Sequence, residues 1–192
     1  YADNLSATPA QMKKTPTSNK YVDLTSTIDS PFINEDGVTF HNVIGSGVDV
    51  DFYLMDYDPE KTHLGIDIIP KETSYEKSIS KNGISIFPIL HGTVTHALDG
   101  CNNLQTSDGC GEYGNVVESK LIITNTPDED KTSYYIVRYA FLRNINYSID
   151  DPIKKADCGP KGKKIGTMGN SGLSKEIHLH IELLRGVMKN GK

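Results

Sequence analysis

The stretch Ile177-His178-Leu179-His180-Ile181-Glu182-Leu183 places apolar residues at 177, 179, 181 and 183 and polar residues at 178, 180 and 182. A period of two is the signature of a strand with one face in a core. The opposite face then carries two histidines side by side. A core has no use for two adjacent imidazoles on one face, whereas a metal ion does. The competing reading is a solvated strand face that holds His, His and Glu without using them.

A second stretch weakens that competing reading. Thr62-His63-Leu64-Gly65-Ile66-Asp67-Ile68-Ile69-Pro70 carries His63 and Asp67 four positions apart. In an extended strand they would lie about 13 Å apart, too far to share an ion. A helix would join them, but Gly65, the isoleucines and Pro70 argue against a helix. A bend at Gly65 remains, because glycine takes backbone angles that other residues avoid. It would draw His63 and Asp67 toward one point. With one histidine of the 178/180 pair they offer two nitrogens and one carboxylate oxygen. Three protein ligands and an open fourth position describe a catalytic zinc site rather than a structural one.

Taken in order, these motifs resemble those of the lysostaphin-type, or LytM-type, zinc metallopeptidases. That family shows H-x-x-x-D, then Y-x-H-L, then G-x-x-G-x-[ST]-G followed by H-L-H. The matching residues are His63 and Asp67, Tyr139-Ala140-Phe141-Leu142, Gly166-Thr-Met-Gly-Asn-Ser-Gly172, and His178-Leu179-His180. His91-Gly-Thr-Val-Thr95 and Tyr113-Gly-Asn-Val-Val117 look like the family's connecting pieces, so the resemblance covers about residues 60–185. Phe141 departs from it, standing where the family usually has a catalytic histidine.

The resemblance implies an antiparallel β-sheet whose zinc-holding groove is flanked by loops. It implies Zn2+ on His63, Asp67 and His180. His178 is then the catalytic residue, moving a proton of the zinc-bound water or stabilising the tetrahedral oxyanion. The implied activity is a zinc metallo-endopeptidase cleaving peptide cross-links of bacterial peptidoglycan, slowed by Phe141. The alternative is a weakened module of the same fold that binds the cell wall or regulates another wall hydrolase. Glu182, on the face of the histidines, is a candidate to orient an imidazole.

Composition sets the wider bounds. At 192 residues the chain is one domain, or one domain plus an arm. Residues 1–20 lack any period and read as an arm or linker, 21–60 as an N-terminal β extension, and 61–192 as the peptidase-like domain. A net charge of −5 argues against nucleic acid as the main partner. The expected partners are peptidoglycan peptides and another cell-wall or envelope protein. No apolar run reaches the ~20 residues that span a bilayer. Cys101 and Cys110 flank a Gly- and Asn-rich loop. Spacing alone does not choose among the pairings that these two and Cys158 allow. A Cys101–Cys110 disulfide is the expected one, and it places the protein in the periplasm or outside the cell.

The remaining pattern is mainly β. Short strands are expected around residues 84–88, 92–96, 115–118, 120–124 and 134–142, and 71–83 reads as a loop with at most one helical turn. By period two, Tyr135, Val137, Tyr139 and Phe141 share one face. If that face meets the site, Tyr139 offers it a hydroxyl and Phe141 only a ring. His41, His91 and His96 read as surface or hydrogen-bonding residues. The lysines between 154 and 164 read as a solvated loop, with attraction to an anionic wall polymer as the sharper alternative.

Overall fold

A computed structural model describes residues 32–33, 38–44, 48, 50–54, 65–101, 110–123 and 131–189. Its strands are β1 (Phe32–Ile33), β2 (Thr39–Phe40), β3 (Val50–Leu54), β4 (Ile66–Pro70), β5 (Ser85–Ile86), β6 (Gly92–Leu98), β7 (Asn115–Ile123), β8 (Lys131–Ile145), β9 (Pro152–Ile153), β10 (Gly166–Met168) and β11 (Leu179–Lys189). The α-helix among the described residues, α1 (Glu72–Ile79), follows β4. Among the described residues, β1 and β2 pair with each other, and the other strands form one sheet in the order β3-β4-β11-β8-β7-β6-β9. Short β10 attaches to β8 and carries β5. Among the described residues every strand pairing is antiparallel, as the family resemblance implies.

Alternation explains how the sheet acquires its core. Ile66 and Ile68 of β4 stand opposite Ile181 and Leu179 of β11. Ile181 and Leu183 stand opposite Tyr139 and Val137 of β8. All of these side chains are buried in one cluster with Phe40, Ile84, Ile86, Ile89 and Leu90, which cover the sheet. Burying one such aliphatic or aromatic side chain stabilises the fold by about 1.5–3 kcal/mol. Tyr139 lies wholly inside this cluster, where its hydroxyl accepts the Ile89 N–H at 2.9 Å. The conditional role of Tyr139 at the site is therefore overturned. A row alternating with the histidine row points away from it.

Phe141 breaks the alternation. Asn115 pairs with Leu142 but Val117 pairs with Tyr139, so Val116 faces two residues, Ala140 and Phe141. This is a β-bulge, one extra residue on β8. Phe141 takes φ +59° there, and its N–H donates to the Tyr113 carbonyl at 2.9 Å. The bulge rotates its ring out of the Tyr135–Tyr139 row into a separate small cluster with Val116, Ala140 and Tyr113. A left-handed backbone costs a β-carbon residue about 1–2 kcal/mol, and a bulky side chain is rarely found in one.

Helix α1 was not expected from the sequence. It has two turns rather than one at most, although no apolar stripe marks it. The side chains it buries are the small Ser74 and Ser78, one turn apart. Its C-terminus is tied down from the sheet. The Arg143 guanidinium donates to the Ser78 and Ser80 carbonyls, both at 2.7 Å. A cation at the negative end of a helix is favourable, and it fills orphan acceptors that the helix cannot. The pairs expected at 115–118 and 120–124 likewise merge into one strand, β7.

Candidate metal centre

The site lies on the face of β4, β8 and β11 opposite the main core. Asp67 and His180 are direct cross-strand partners, which places both side chains on that face. The expected bend at Gly65 is present. Its φ is +142°, and a β-carbon there would sit 2.6 Å from the Ile181 carbonyl oxygen and 2.8 Å from His180 Cε1. Glycine is required both for the turn and for this close approach. His63, the third expected ligand, lies outside the described residues.

The histidine face is not solvated. His178 is 8%, His180 1% and Glu182 3% exposed, so the polar face of the stretch 178–183 is as closed as its apolar one. Buried polar atoms need partners, and both ring nitrogens of His180 and both oxygens of Glu182 have them. His180 Nδ1 lies 2.7 Å from Asp67 Oδ1, and its Nε2 lies 3.0 Å from Glu182 Oε1. Glu182 also accepts the Tyr113 hydroxyl at 2.9 Å and Arg138 Nη1 at 2.8 Å. Arg138 Nε donates to Glu118 at 2.6 Å, and its guanidinium lies 4.3 Å over the Tyr113 ring.

His178 is held from its other side. Its Nδ1 is 2.9 Å from the Glu176 carbonyl and 3.1 Å from Ser174 Oγ, while the Ser174 hydroxyl donates to that same carbonyl at 2.6 Å. A carbonyl only accepts, so the proton sits on Nδ1. In the neutral imidazole Nε2 is then the bare nitrogen, 3.8 Å from Asp67 Oδ1. The His178 N–H donates to the Gly169 carbonyl at 3.1 Å, so the glycine-rich turn at 166–172 helps place this residue. The Phe141 ring lies 4.7 Å from the His178 ring and 5.7 Å from that of His180.

The donor set can be tested for a cation. Glu182 claims one N–H of His180, which leaves a neutral imidazole with a bare Nδ1 facing a carboxylate oxygen at 2.7 Å. Two acceptors that close require a positive centre, either a proton or a metal ion. Without metal it is a proton. Burial alone would push the imidazolium down, but the hydrogen bonds to Asp67 and Glu182 and their charges outweigh it and raise its pKa to about 8. For Glu182, burial pushes up, yet the hydrogen bond to His180 and the charges of His180 and Arg138 hold the carboxyl below the usual range. The chemistry of Asp67 Oδ1 and His180 Nδ1 thus suits a divalent metal, and Glu182 gives the imidazole the outer partner that metal-bound histidines normally have. Among the described residues no group of three His, Cys, Asp or Glu forms a complete metal cage.

Sequence reading missed Tyr113, Glu118, Arg138 and Ser174. Arg138 is two residues before Ala140 on β8, and Glu118 is in β7. Only the register, Glu118 opposite Arg138 and Arg138 opposite Glu182, makes them neighbours. Cys101 and Cys110 do form the expected disulfide, and Cys158 is free and buried. Asn115 joins that loop to the site. Its side chain binds the Cys101 N–H at 2.8 Å and the Leu142 carbonyl, beside the bulge, at 2.9 Å.

No family model matches the chain, and no curated protein matches it. Among the solved structures similar to it are two peptidases. One is a zinc-containing peptidase from Vibrio cholerae, 17% identical over 84% of this chain and 45% of its own, with a TM-score of 0.47. The other is assigned as a glycyl-glycine endopeptidase LytM from Ruminococcus gnavus, 22% identical over 67% of this chain and 41% of its own, with a TM-score of 0.38. The chain spans less than half the length of either.

Proposed function

We propose that this chain is a zinc-dependent endopeptidase that cleaves peptide cross-links of bacterial peptidoglycan. The observation that carries the metal is the acceptor pair, Asp67 Oδ1 and His180 Nδ1, 2.7 Å apart with Glu182 holding the far side of the imidazole. The motif order shared with the lysostaphin-type peptidases supports the substrate class. Asp67 and His180 would hold the ion, with His63 as the third ligand. The chemistry that zinc supplies when bound is Lewis acidity toward water and a peptide carbonyl.

The chain's own residues supply the rest. His178 presents a bare Nε2 beside Asp67, placed to take a proton from attacking water and return it to the leaving amine. Ser174 and the Glu176 carbonyl hold Nδ1, which makes Nε2 the basic nitrogen of the neutral ring. Phe141 packs on both imidazoles and limits their tilt, but it can neither donate nor accept a proton. One acid–base group is therefore missing, and the reading is a slow enzyme. The Cys101–Cys110 disulfide supports an oxidising compartment, periplasmic or extracellular. Among the described residues, no helix is long and apolar enough to cross a membrane.

Phe141 favours a second reading, a wall-binding or regulatory module with a weakened site. Hydrolysis of purified peptidoglycan, with and without chelator, separates the two. Chelator-sensitive release of peptides, identified by mass, supports the enzyme. Zinc-loaded protein that binds the wall and releases nothing from any preparation supports the module.

A further inference from the structure

We propose that Arg138 is a positioning residue that, anchored by Glu118, fixes the tautomer of His180 through Glu182 and so keeps Nδ1 open as a ligand. The proposal rests on the zinc reading above and adds to it a control outside the ligand set.

Glu118 on β7, Arg138 on β8 and Glu182 on β11 are consecutive cross-strand partners, a row of acid, base and acid across the sheet. The guanidinium divides its fork between them. Nε and Nη2 go to Glu118 Oε1, and Nη1 goes to Glu182 Oε2 at 2.8 Å. Tyr113 lies against the guanidinium face and donates to the other Glu182 oxygen at 2.9 Å. Glu182 is thus held at both oxygens, and Oε1 meets His180 Nε2 at 3.0 Å.

A neutral imidazole has two choices here. With its proton on Nε2 it donates to Glu182 and leaves Nδ1 bare, the form a metal requires. With its proton on Nδ1 it donates to Asp67 instead, a plain hydrogen bond that occupies both prospective ligands. Asp67 at 2.7 Å and Glu182 at 3.0 Å compete for that one proton, and Glu182 draws it to Nε2 only while it stays in place. It is nearly fully buried, and a buried carboxylate without a cationic partner is costly. Without Arg138 it has every reason to turn toward water and abandon His180. Lysine cannot replace the fork, because an ammonium lacks the planar geometry that serves two carboxylates at once.

The test uses Arg138→Gln, Arg138→Lys and Glu118→Gln beside wild type. Zinc affinity is read by competition with a chromogenic chelator. The His180 tautomer is read by nitrogen NMR on metal-free protein at alkaline pH, and folding by thermal melting. Arg138→Gln is expected to weaken zinc binding about 10–100-fold and to shift His180 toward the Nδ1–H form. Arg138→Lys should recover only part of the affinity, and Glu118→Gln should show a smaller loss in the same direction. Wild-type zinc affinity with an unchanged His180 tautomer in Arg138→Gln overturns the proposal, as does a metal-free wild type already in the Nδ1–H form. Should that variant fail to fold, the same two readouts on Arg138→Lys and Glu118→Gln decide, and two unchanged values again overturn it. A wild type that binds no zinc defeats the proposed function instead, and the tautomer of the metal-free variants still decides the role of Arg138.

Discussion

The stretch 178–183, which leads into strand β11, presents two faces that are equally buried and chemically opposite. Leu179, Ile181 and Leu183 enter the main core, while His178, His180 and Glu182 are closed off behind Tyr113, Arg138 and Phe141. The apolar face is held by non-directional burial, so shape and volume are what it demands. The polar face is held by named hydrogen bonds, and each buried group left without a partner is costly. The first face stabilises the fold. The second holds its functional groups in place at the expense of tolerance to change.

The sharpest way to break that contrast is to make matched conservative changes one residue apart. Glu182→Gln keeps shape but removes the charge facing Arg138 and His180, and should destabilise by about 3 kcal/mol. Leu183→Met keeps volume and should cost less than about 1.5 kcal/mol. Urea unfolding of both variants reads the difference. Equal losses would mean that the polar face is no more demanding than the apolar one.

Phe141 lets the two faces be separated by activity. A histidine accepts a left-handed backbone more readily than phenylalanine, and it restores a proton-transfer group. Phe141→His should raise turnover on peptidoglycan about 10²-fold, the lower end for such a group, with zinc occupancy unchanged. A wild type as fast as this variant would reveal a compensating group.

The faces should also differ in pH response. In metal-free protein the His180 pKa is about 8 against 6.5 for an unperturbed histidine. A folded-state pKa above the unfolded one gives stability that is fully present below 6.5 and lost as pH rises through about 8. The loss should be roughly 2 kcal/mol, from about 1.4 kcal/mol per pH unit. Chelator-treated wild type should show it in unfolding midpoints measured across that window, and His180→Gln should not. Saturating zinc should remove the effect, since the metal takes the proton's place.

The smallest expected signal comes from the apolar side. Cys158 belongs to the main core, where burial and then the Asp157 charge push its thiol up to about 12. Almost no thiolate exists near neutral pH, so a thiol reagent should find nothing to react with until denaturant is added. Rapid modification of the folded protein would show that the core opens locally at that point.

Much of the site was legible because its signals are local. Period two in 177–183 placed both histidines and Glu182 on one face, and the bend at Gly65 followed from residue types alone. Helix α1 escaped because its buried side are serines, and its C-terminal contacts come from Arg143, far along the chain. Phe141 was assigned to the face of Tyr139 because period two assumes an unbroken strand, and one bulge reverses it.

The sequence by itself determined the mainly β class, the residue types that suit a metal and the glycine at the bend. Each is a property of a short stretch, readable from spacing and chemistry. Tertiary structure decided which ring packs on the imidazoles, that Arg138 and Glu118 stand behind Glu182, and that the polar face is buried at all. Those facts depend on register between β7, β8 and β11, set by hydrogen bonds between residues tens of positions apart. Spacing along one strand carries no information about its neighbour's offset.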